Sequence, residues 1–130
     1  MIILDTDHCI ELLRGNKRVL AARSKNQESV GITWMTAGEL FYGAAKSKDP
    51  AGNWSLVEAF LLTVEIKFPT IKTMQLFGEI KARLSLDGNN LPDADLLISA
   101  SAIEGGHTLV TGNTRHFQRI DGLSIDNWLK

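Results

Sequence analysis

Short apolar runs alternate along this chain with segments of helical periodicity, and no other feature constrains the fold as much. The apolar runs predict strands, which we place at Ile2–Leu4, Val30–Thr33, Val64–Phe68, Thr108–Thr111 and Leu123–Ile125. Strands that alternate with helices are typical of a parallel sheet with helices on both faces. We therefore expect an α/β protein, a three-layer α/β/α sandwich around a mostly parallel sheet of four or five strands.

Two of the helical segments distribute their apolar residues differently. The segment Leu96–Ile103 is apolar almost all round, so we expect that helix to be central, covered on most sides and ended by Gly105 and Gly106. The other segment is an amphipathic helix with a core-facing stripe, predicted by the three- and four-residue spacing of Ile71, Met74, Phe77, Ile80 and Leu84.

Length and composition predict one domain, residues 1–130, because 130 residues of which 44% are hydrophobic can bury a sizeable core. No apolar run has the length of a membrane span, and the first run reaches Asp5 without a preceding basic segment, which favours a buried strand over a secretion signal. The single cysteine, Cys9, excludes an internal disulfide and a Cys-rich zinc site. We expect a cytoplasmic protein with no membrane association.

Acidic residues occur near the predicted strand ends, where sites form in parallel sheets. Asp5 directly follows the first strand and precedes Thr6 and Asp7. Capping of the next helix requires only one polar side chain, and three are clustered here. This excess favours a functional role for Asp5 and leaves the role of Asp7 open.

Capping is also an alternative for the other candidate acids. Thr36 and Glu39 have the spacing of a capping box with Thr36 at the N-cap, and on their own these two residues favour that interpretation. Asp93 would cap the following helix, and Asp95 would be a first-turn acid that the helix dipole stabilises. Because one acid suffices for a cap, the second acid beside this apolar helix favours a site.

The formal net charge of −1 excludes a uniformly basic nucleic-acid surface but not a local basic patch. The segment 14–25 contains five basic residues and no acid, whereas no Lys or Arg lies between Arg83 and Arg115. Solvated helix faces account for many such runs. Metal-dependent phosphodiester chemistry would use the same arrangement, since carboxylates suit Mg²⁺ or Mn²⁺ and basic side chains hold phosphates. No metal-ligand spacing connects the three histidines, His8, His107 and His116.

Four segments in order resemble the PIN domain and, more narrowly, VapC-type toxins of toxin–antitoxin systems: Ile3–Asp7, Ala37–Ala44, Asp95–Ala100 and Leu109–Phe117. The likeness covers essentially the whole chain. It implies a Mg²⁺-dependent endoribonuclease that acts on single-stranded RNA, in which Mn²⁺ can replace Mg²⁺. It also implies a VapB-like antitoxin partner and a homodimer.

Position by position, the resemblance implies that Asp5, Glu39 and Asp95 bind the metal, so Glu39 is more than a cap. Asn113 lies where many relatives carry a further acid, and its neutral amide argues against a second permanently bound ion. We expect Asn113 to take part in catalysis by orienting water or metal. Supporting or substrate-contacting roles are expected for Thr6, Asp7, Asp93, Thr111 and Arg115.

Two alternatives remain open from the residues. The Asp5-Thr6-Asp7 segment is similar to the nucleophile–acid pair of haloacid-dehalogenase-type phosphatases, although that family carries Thr or Val where this chain has Cys9. Asn113 is also compatible with a non-catalytic PIN-fold regulator that binds RNA or protein. Metal-dependent RNA cleavage would distinguish the nuclease from both.

Overall fold

The computed structural model describes all residues from Met1 to Lys130. Its elements are, in chain order, β1 (Ile2–Leu4), α1 (Thr6–Leu13), α2 (Lys17–Lys25), β2 (Val30–Thr33), α3 (Trp34–Ala45), α4 (Pro50–Leu61), β3 (Glu65–Lys67), α5 (Ile71–Leu86), α6 (Asp93–Glu104), β4 (Thr108–Val110), α7 (Thr114–Phe117) and β5 (Ser124–Asp126).

The strands form one five-stranded sheet in the order β3-β2-β1-β4-β5, and every pair is parallel. The predicted α/β class and the parallel sheet are therefore confirmed. All five predicted strands are present, with shifts of one residue at the ends of the last three. The central strand β1 has β2 on one side and β4 on the other, so the strand order reverses between β1 and β4. Ligands of open α/β sheets bind outside the carboxyl ends of the strands at such a point.

Alternate residues of the central strands pack into two separate cores, as the period of a β-strand requires. Ile2 and Leu4 of β1 face a core beneath α1–α4, which also contains Trp128 from the segment after β5. Ile3 and Leu109 face the opposite core, which is covered by α5, α6 and α7. These two cores on opposite faces of the sheet give the α/β/α sandwich.

The sequence predictions are confirmed for helix α6 and only in part for helix α5. Helix α6 is largely buried and ends at Gly105, followed by Gly106 at φ +66°, as predicted. The core-facing stripe predicted for α5 is correct from Phe77 onwards, since Phe77 and Ile80 pack against the core and Leu84 is buried in it. Ile71 and Met74 are exposed, so the prediction is wrong for the first turn. Spacing identifies the apolar face of a helix but not how far the covering elements extend. None of the helices has the length and apolar character needed to cross a membrane.

Candidate active site

Asp5 lies at the carboxyl end of β1, beside the segment that follows β4. The residue is 8% exposed. Asp5 Oδ1 accepts a hydrogen bond from the backbone N–H of Thr6 at 2.8 Å, and Oδ2 accepts one from the Thr111 hydroxyl at 2.8 Å. Asp5 is thus the N-cap of α1 and also reaches across the point where the strand order reverses. The capping interpretation is therefore confirmed, and the functional role of Asp5 stays a prediction.

The environment of Asp5 disfavours its charge. Burial raises the pKa of the Asp5 carboxyl to about 6, and the charges of Asp7 and Asp95 act in the same direction. The hydrogen bonds from Thr111 and Thr6 oppose this rise without cancelling it. At neutral pH this carboxylate is therefore ionised at a cost in free energy.

Glu39 lies within α3, and its carboxylate turns towards α1. The Thr6 hydroxyl donates to Glu39 Oε1 at 2.8 Å, and Thr6 Oγ1 also lies 3.2 Å from the buried Thr36 Oγ1. The predicted capping box is wrong, because α3 begins directly after β2 and its N-cap is Thr33, whose side chain accepts from the Thr36 N–H at 3.2 Å. Glu39 is therefore three residues too far along the helix to be the N3 partner in a capping box, a position that Thr36 occupies.

Asp95 lies in the first turn of α6 and contacts a histidine that sequence reasoning left without a role. His116 Nδ1 lies 3.1 Å from Asp95 Oδ2 and 2.8 Å from Asn113 Nδ2. Burial raises the pKa of the Asp95 carboxyl; the neighbouring His116 lowers it, and the Glu39 charge raises it further. The signal in the sequence was the three-residue spacing of Asn113 and His116, which places both side chains on one turn of α7.

Asn113 and Arg115 lie at the start of α7, just beyond β4. The Asn113 backbone N–H donates to Thr111 Oγ1 at 3.0 Å, so Thr111 connects this turn to Asp5. Arg115 is exposed and forms no ion pair, which leaves its guanidinium accessible.

Asp93 is placed apart from the other acids. It is the first residue of α6, whose N-cap is Pro92, so the predicted capping role of Asp93 is wrong. Proline at that position has no side-chain acceptor. The Asp93 carboxylate is exposed and pairs with Lys81 Nζ of α5 at 3.0 Å. No hydrogen bond or ion pair joins Asp93 to Asp5, Glu39 or Asp95.

The basic segment 14–25 is partly occupied by contacts within the protein. Arg18 Nη1 donates to the Leu129 carbonyl at 2.8 Å, and Arg23 Nη2 donates to the Thr63 carbonyl at 2.7 Å. Arg14 Nη1 lies 3.6 Å from Glu11 Oε1 and remains largely exposed. These contacts fix α2 against the rest of the chain and leave fewer free guanidinium groups than the sequence suggested.

An open groove of about 300 Å³ adjoins Glu39 between α1, α3 and α4. Most of its wall is apolar, and Arg14 and Glu39 are its charged members. Two of its apolar side chains, Ile10 and Leu56, are 36% and 56% exposed. The groove thus places an exposed apolar surface directly beside Glu39.

The donor set of this region suits a hard divalent cation. Asp5, Glu39 and Asp95 offer only carboxylate oxygens. Burial, with a smaller contribution from neighbouring acids, raises the pKa values of Asp5 and Asp95, so a bound cation would stabilise their ionised forms. No three His, Cys, Asp or Glu side chains close on one point as a preformed metal cage. Mg²⁺ is commonly held by one or two carboxylates with water in the remaining positions, so an open acidic group fits it.

Comparison with known proteins gives the same fold and places the chain among nucleases. The PIN domain family model matches residues 2–123. Ribonuclease VapC2 of Haemophilus influenzae is 34% identical over 98% of this chain and 97% of its own length. The tRNA(fMet)-specific endonuclease VapC of Shigella flexneri is 32% identical over 97% of this chain and 96% of its own length.

A solved structure gives the corresponding match in three dimensions. The complex VapBC2 of Rickettsia felis, bound to a DNA fragment from its promoter, contains a chain that superposes with a TM-score of 0.92 and 31% identity, covering 98% of this chain and 99% of that one. The family match and these near full-length identities show that this chain belongs to the PIN-domain family, in its VapC-type toxin ribonuclease group.

Proposed function

We propose that this protein is the toxin of a type II toxin–antitoxin pair and acts as an endoribonuclease on phosphodiester bonds of single-stranded RNA, with Mg²⁺ as cofactor and Mn²⁺ as a substitute. The observation that supports this proposal is the proximity of three acids beside the point where the strand order reverses. Thr6 donates to both Asp5 and Glu39, and the charge of Asp95 acts on Asp5 as that of Glu39 acts on Asp95. Dependence on divalent metal ions is general among nucleases of this family.

The three acids are the proposed metal ligands, and a bound cation would neutralise them and polarise the scissile phosphate. Thr6 orients Glu39 through its hydroxyl, and Thr111 orients Asp5 in the same way. These two hydroxyls take up one lone pair on each carboxylate and leave other lone pairs available.

The remaining proposed roles concern water and substrate. Asn113 orients the attacking water, with its amide held beside His116. Arg115, exposed on α7, contacts substrate phosphate. Asp7 supports the turn after β4, since its Oδ2 accepts from the Gly112 N–H at 2.8 Å. Asp93 contributes negative charge near the start of α6.

The proposed protein partner is a VapB-like antitoxin, and the groove beside Glu39 supports this. An apolar peptide segment in that groove would cover Ile10 and Leu56 and approach the acids. We also propose a homodimer, one nuclease domain over residues 1–130, and a cytoplasmic location, which the free buried Cys9 supports.

Cleavage of a fluorescent single-stranded RNA by the purified protein tests the nuclease proposal. We expect cleavage with Mg²⁺ or Mn²⁺ and none with EDTA. Glu39→Gln should reduce kcat by at least about 100-fold, a loss typical of removing a group that stabilises transition-state charge. The matched control is Glu79→Gln, an exposed acid of α5 outside the site, which should leave kcat unchanged. Equal activities of the two variants would contradict the assignment.

The same preparation distinguishes the alternatives. Hydrolysis of p-nitrophenyl phosphate with the RNA left intact would contradict the nuclease and favour a phosphatase. RNA binding without cleavage under any divalent cation would favour a non-catalytic regulator. For the partner, Leu56→Asp should weaken binding of the cognate antitoxin in calorimetry, and unchanged affinity would exclude the groove as its site.

A further inference from the structure

Helix α1 carries a fully buried histidine whose two ring nitrogens both have partners. The backbone N–H of Trp128 donates to His8 Nε2 at 3.1 Å. Because Nε2 is the acceptor, the ring is neutral and its proton is on Nδ1. His8 Nδ1 lies 2.9 Å from Asp7 Oδ1 and donates to it. The segment after β5 thus selects the tautomer of His8, and His8 in turn holds the Asp7 carboxylate.

The second oxygen of Asp7 reaches the segment after β4. Asp7 Oδ2 accepts from the Gly112 N–H at 2.8 Å, and a Cβ at position 112 would lie 2.8 Å from that oxygen. Only glycine allows this close approach without displacing the carboxylate. Burial acts to raise the pKa of Asp7, yet the hydrogen bonds from His8 and Gly112 bring it below its ordinary value.

Gly112 lies between the two residues that line the acidic group. Thr111 donates its hydroxyl to Asp5, and the Asn113 N–H donates to the same hydroxyl oxygen. The hydrogen bonds therefore run without interruption from Trp128 through His8, Asp7 and the 111–113 turn to Asp5.

We infer that His8 is a positioning residue of the active site: by orienting Asp7 it fixes the 111–113 turn and so places Thr111 and Asn113 relative to Asp5. This inference rests on the proposed nuclease function for its effect on catalysis. A histidine that only filled the core would need no link to Gly112. Asp7 Oδ1 also accepts from the backbone N–H of His8 at 2.7 Å. Because every substitution at position 8 except proline keeps that bond, Nδ1 is the part of the contact that a substitution can remove.

Substitution of His8 by asparagine or by glutamine tests the roles of its two ring nitrogens one at a time. Asn places its Nδ2 where the Nδ1 of His lies, so His8→Asn keeps the donor to Asp7 and loses the acceptor for Trp128. His8→Gln reaches the level of Nε2, so it keeps the acceptor and loses the donor. Val19→Ala is the control for general destabilisation, because Val19 is buried in the core that contains Trp128 and its side chain has no polar atom to join these hydrogen bonds.

The test combines RNA cleavage at saturating Mg²⁺ with the NMR signal of the Gly112 amide. For His8→Gln we expect a fall in kcat of about 10–100-fold, typical of residues that orient metal ligands, with KM within about twofold. The Gly112 amide should lose its hydrogen-bonded shift and exchange faster. His8→Asn and Val19→Ala should keep both the shift and most of kcat.

Three outcomes would overturn the inference: an unchanged kcat in His8→Gln, an equal loss in Val19→Ala once corrected for the folded fraction, or a greater loss in His8→Asn than in His8→Gln. Failure of the proposed function is distinguishable. If the wild-type protein cleaves no RNA, the Gly112 amide still reports whether the donor nitrogen of His8 fixes the turn, and an unperturbed amide in His8→Gln would refute the positioning role.

Discussion

Replacing Asp5 by asparagine should stabilise the metal-free protein while abolishing cleavage. The Asp5 carboxyl is buried near Asp7 and Asp95, and its pKa is raised from 3.8 to about 6. Asparagine has nearly the same shape and no charge. It keeps an acceptor for the Thr6 N–H and offers an amide donor to Thr111, so the packing around position 5 is preserved.

The magnitude follows from the shift in pKa. At about 1.4 kcal/mol per pKa unit, a rise from 3.8 to about 6 costs the folded state about 3 kcal/mol above pH 6. In Asp5→Asn the amide would donate to the Thr111 hydroxyl instead of accepting from it, and this weaker arrangement offsets about 1 kcal/mol of the gain. We therefore expect Asp5→Asn to raise the free energy of unfolding by about 2 kcal/mol at pH 7.5, from the same linkage.

The pH dependence has a definite sign. Because the folded-state pKa of Asp5 is the higher one, the folded protein binds more protons between pH 3.8 and about 6, and its stability rises as pH falls through this window. The advantage of Asp5→Asn should therefore shrink to about zero near pH 4.5.

Urea unfolding in EDTA at pH 7.5, 6 and 4.5 measures both the stabilisation by Asp5→Asn and its dependence on pH. Asp121→Asn is the control, since Asp121 is an exposed acid paired with Arg83 at 3.3 Å and should change stability by less than about 0.5 kcal/mol at every pH. Added Mg²⁺ should stabilise the wild type more than Asp5→Asn. A variant no more stable than the wild type at pH 7.5, or an advantage independent of pH, would refute the reasoning.

Three further substitutions test the packing around the site. Thr111→Val removes the hydroxyl that Asp5 and Asn113 share and should lower the free energy of unfolding by about 1–2 kcal/mol in urea at pH 7.5; an unchanged value would show that the hydroxyl contributes nothing. Gly112→Ala should cost about 1–3 kcal/mol because its Cβ meets Asp7, and wild-type stability would contradict that contact. Phe117→Ala removes the ring of a residue that is 1% exposed and should lower the free energy of unfolding by about 3–5 kcal/mol in the same assay. A loss under about 1 kcal/mol would contradict the position of Phe117 in the core.

The fold could be predicted because its signals are local. Each central strand is a short apolar run, and Gly105 and Gly106 mark the end of α6 within two residues of its last turn. The acids of the site were recognisable for the same reason, since Asp5 and Asp95 directly adjoin elements that are themselves easily identified. Their roles as metal ligands stay a prediction.

Contacts between distant segments could not be predicted in this way. The bond from Trp128 to His8 joins residues 120 positions apart, and that from Gly112 to Asp7 joins residues 105 apart. No spacing rule connects such pairs. The same limit explains the error at α3, where the direct continuation of β2 into the helix moved the N-cap from Thr36 to Thr33. Periodicity likewise could not show that the first turn of α5 lacks a covering element.

Stability and function occupy different parts of this molecule. Two apolar cores on opposite faces of the sheet hold the strands together, while the acids at the strand ends oppose folding through their burial and, to a smaller extent, their mutual repulsion. Capping and site roles do not compete at Asp5, because the N–H groups of a helix N-terminus partly compensate a carboxylate that the rest of the site disfavours. The sheet positions the acids, and hydrogen bonds from the α1 N-terminus and the 111–113 turn partly stabilise the Asp5 carboxylate. A divalent cation would neutralise the negative charge that these bonds leave uncompensated.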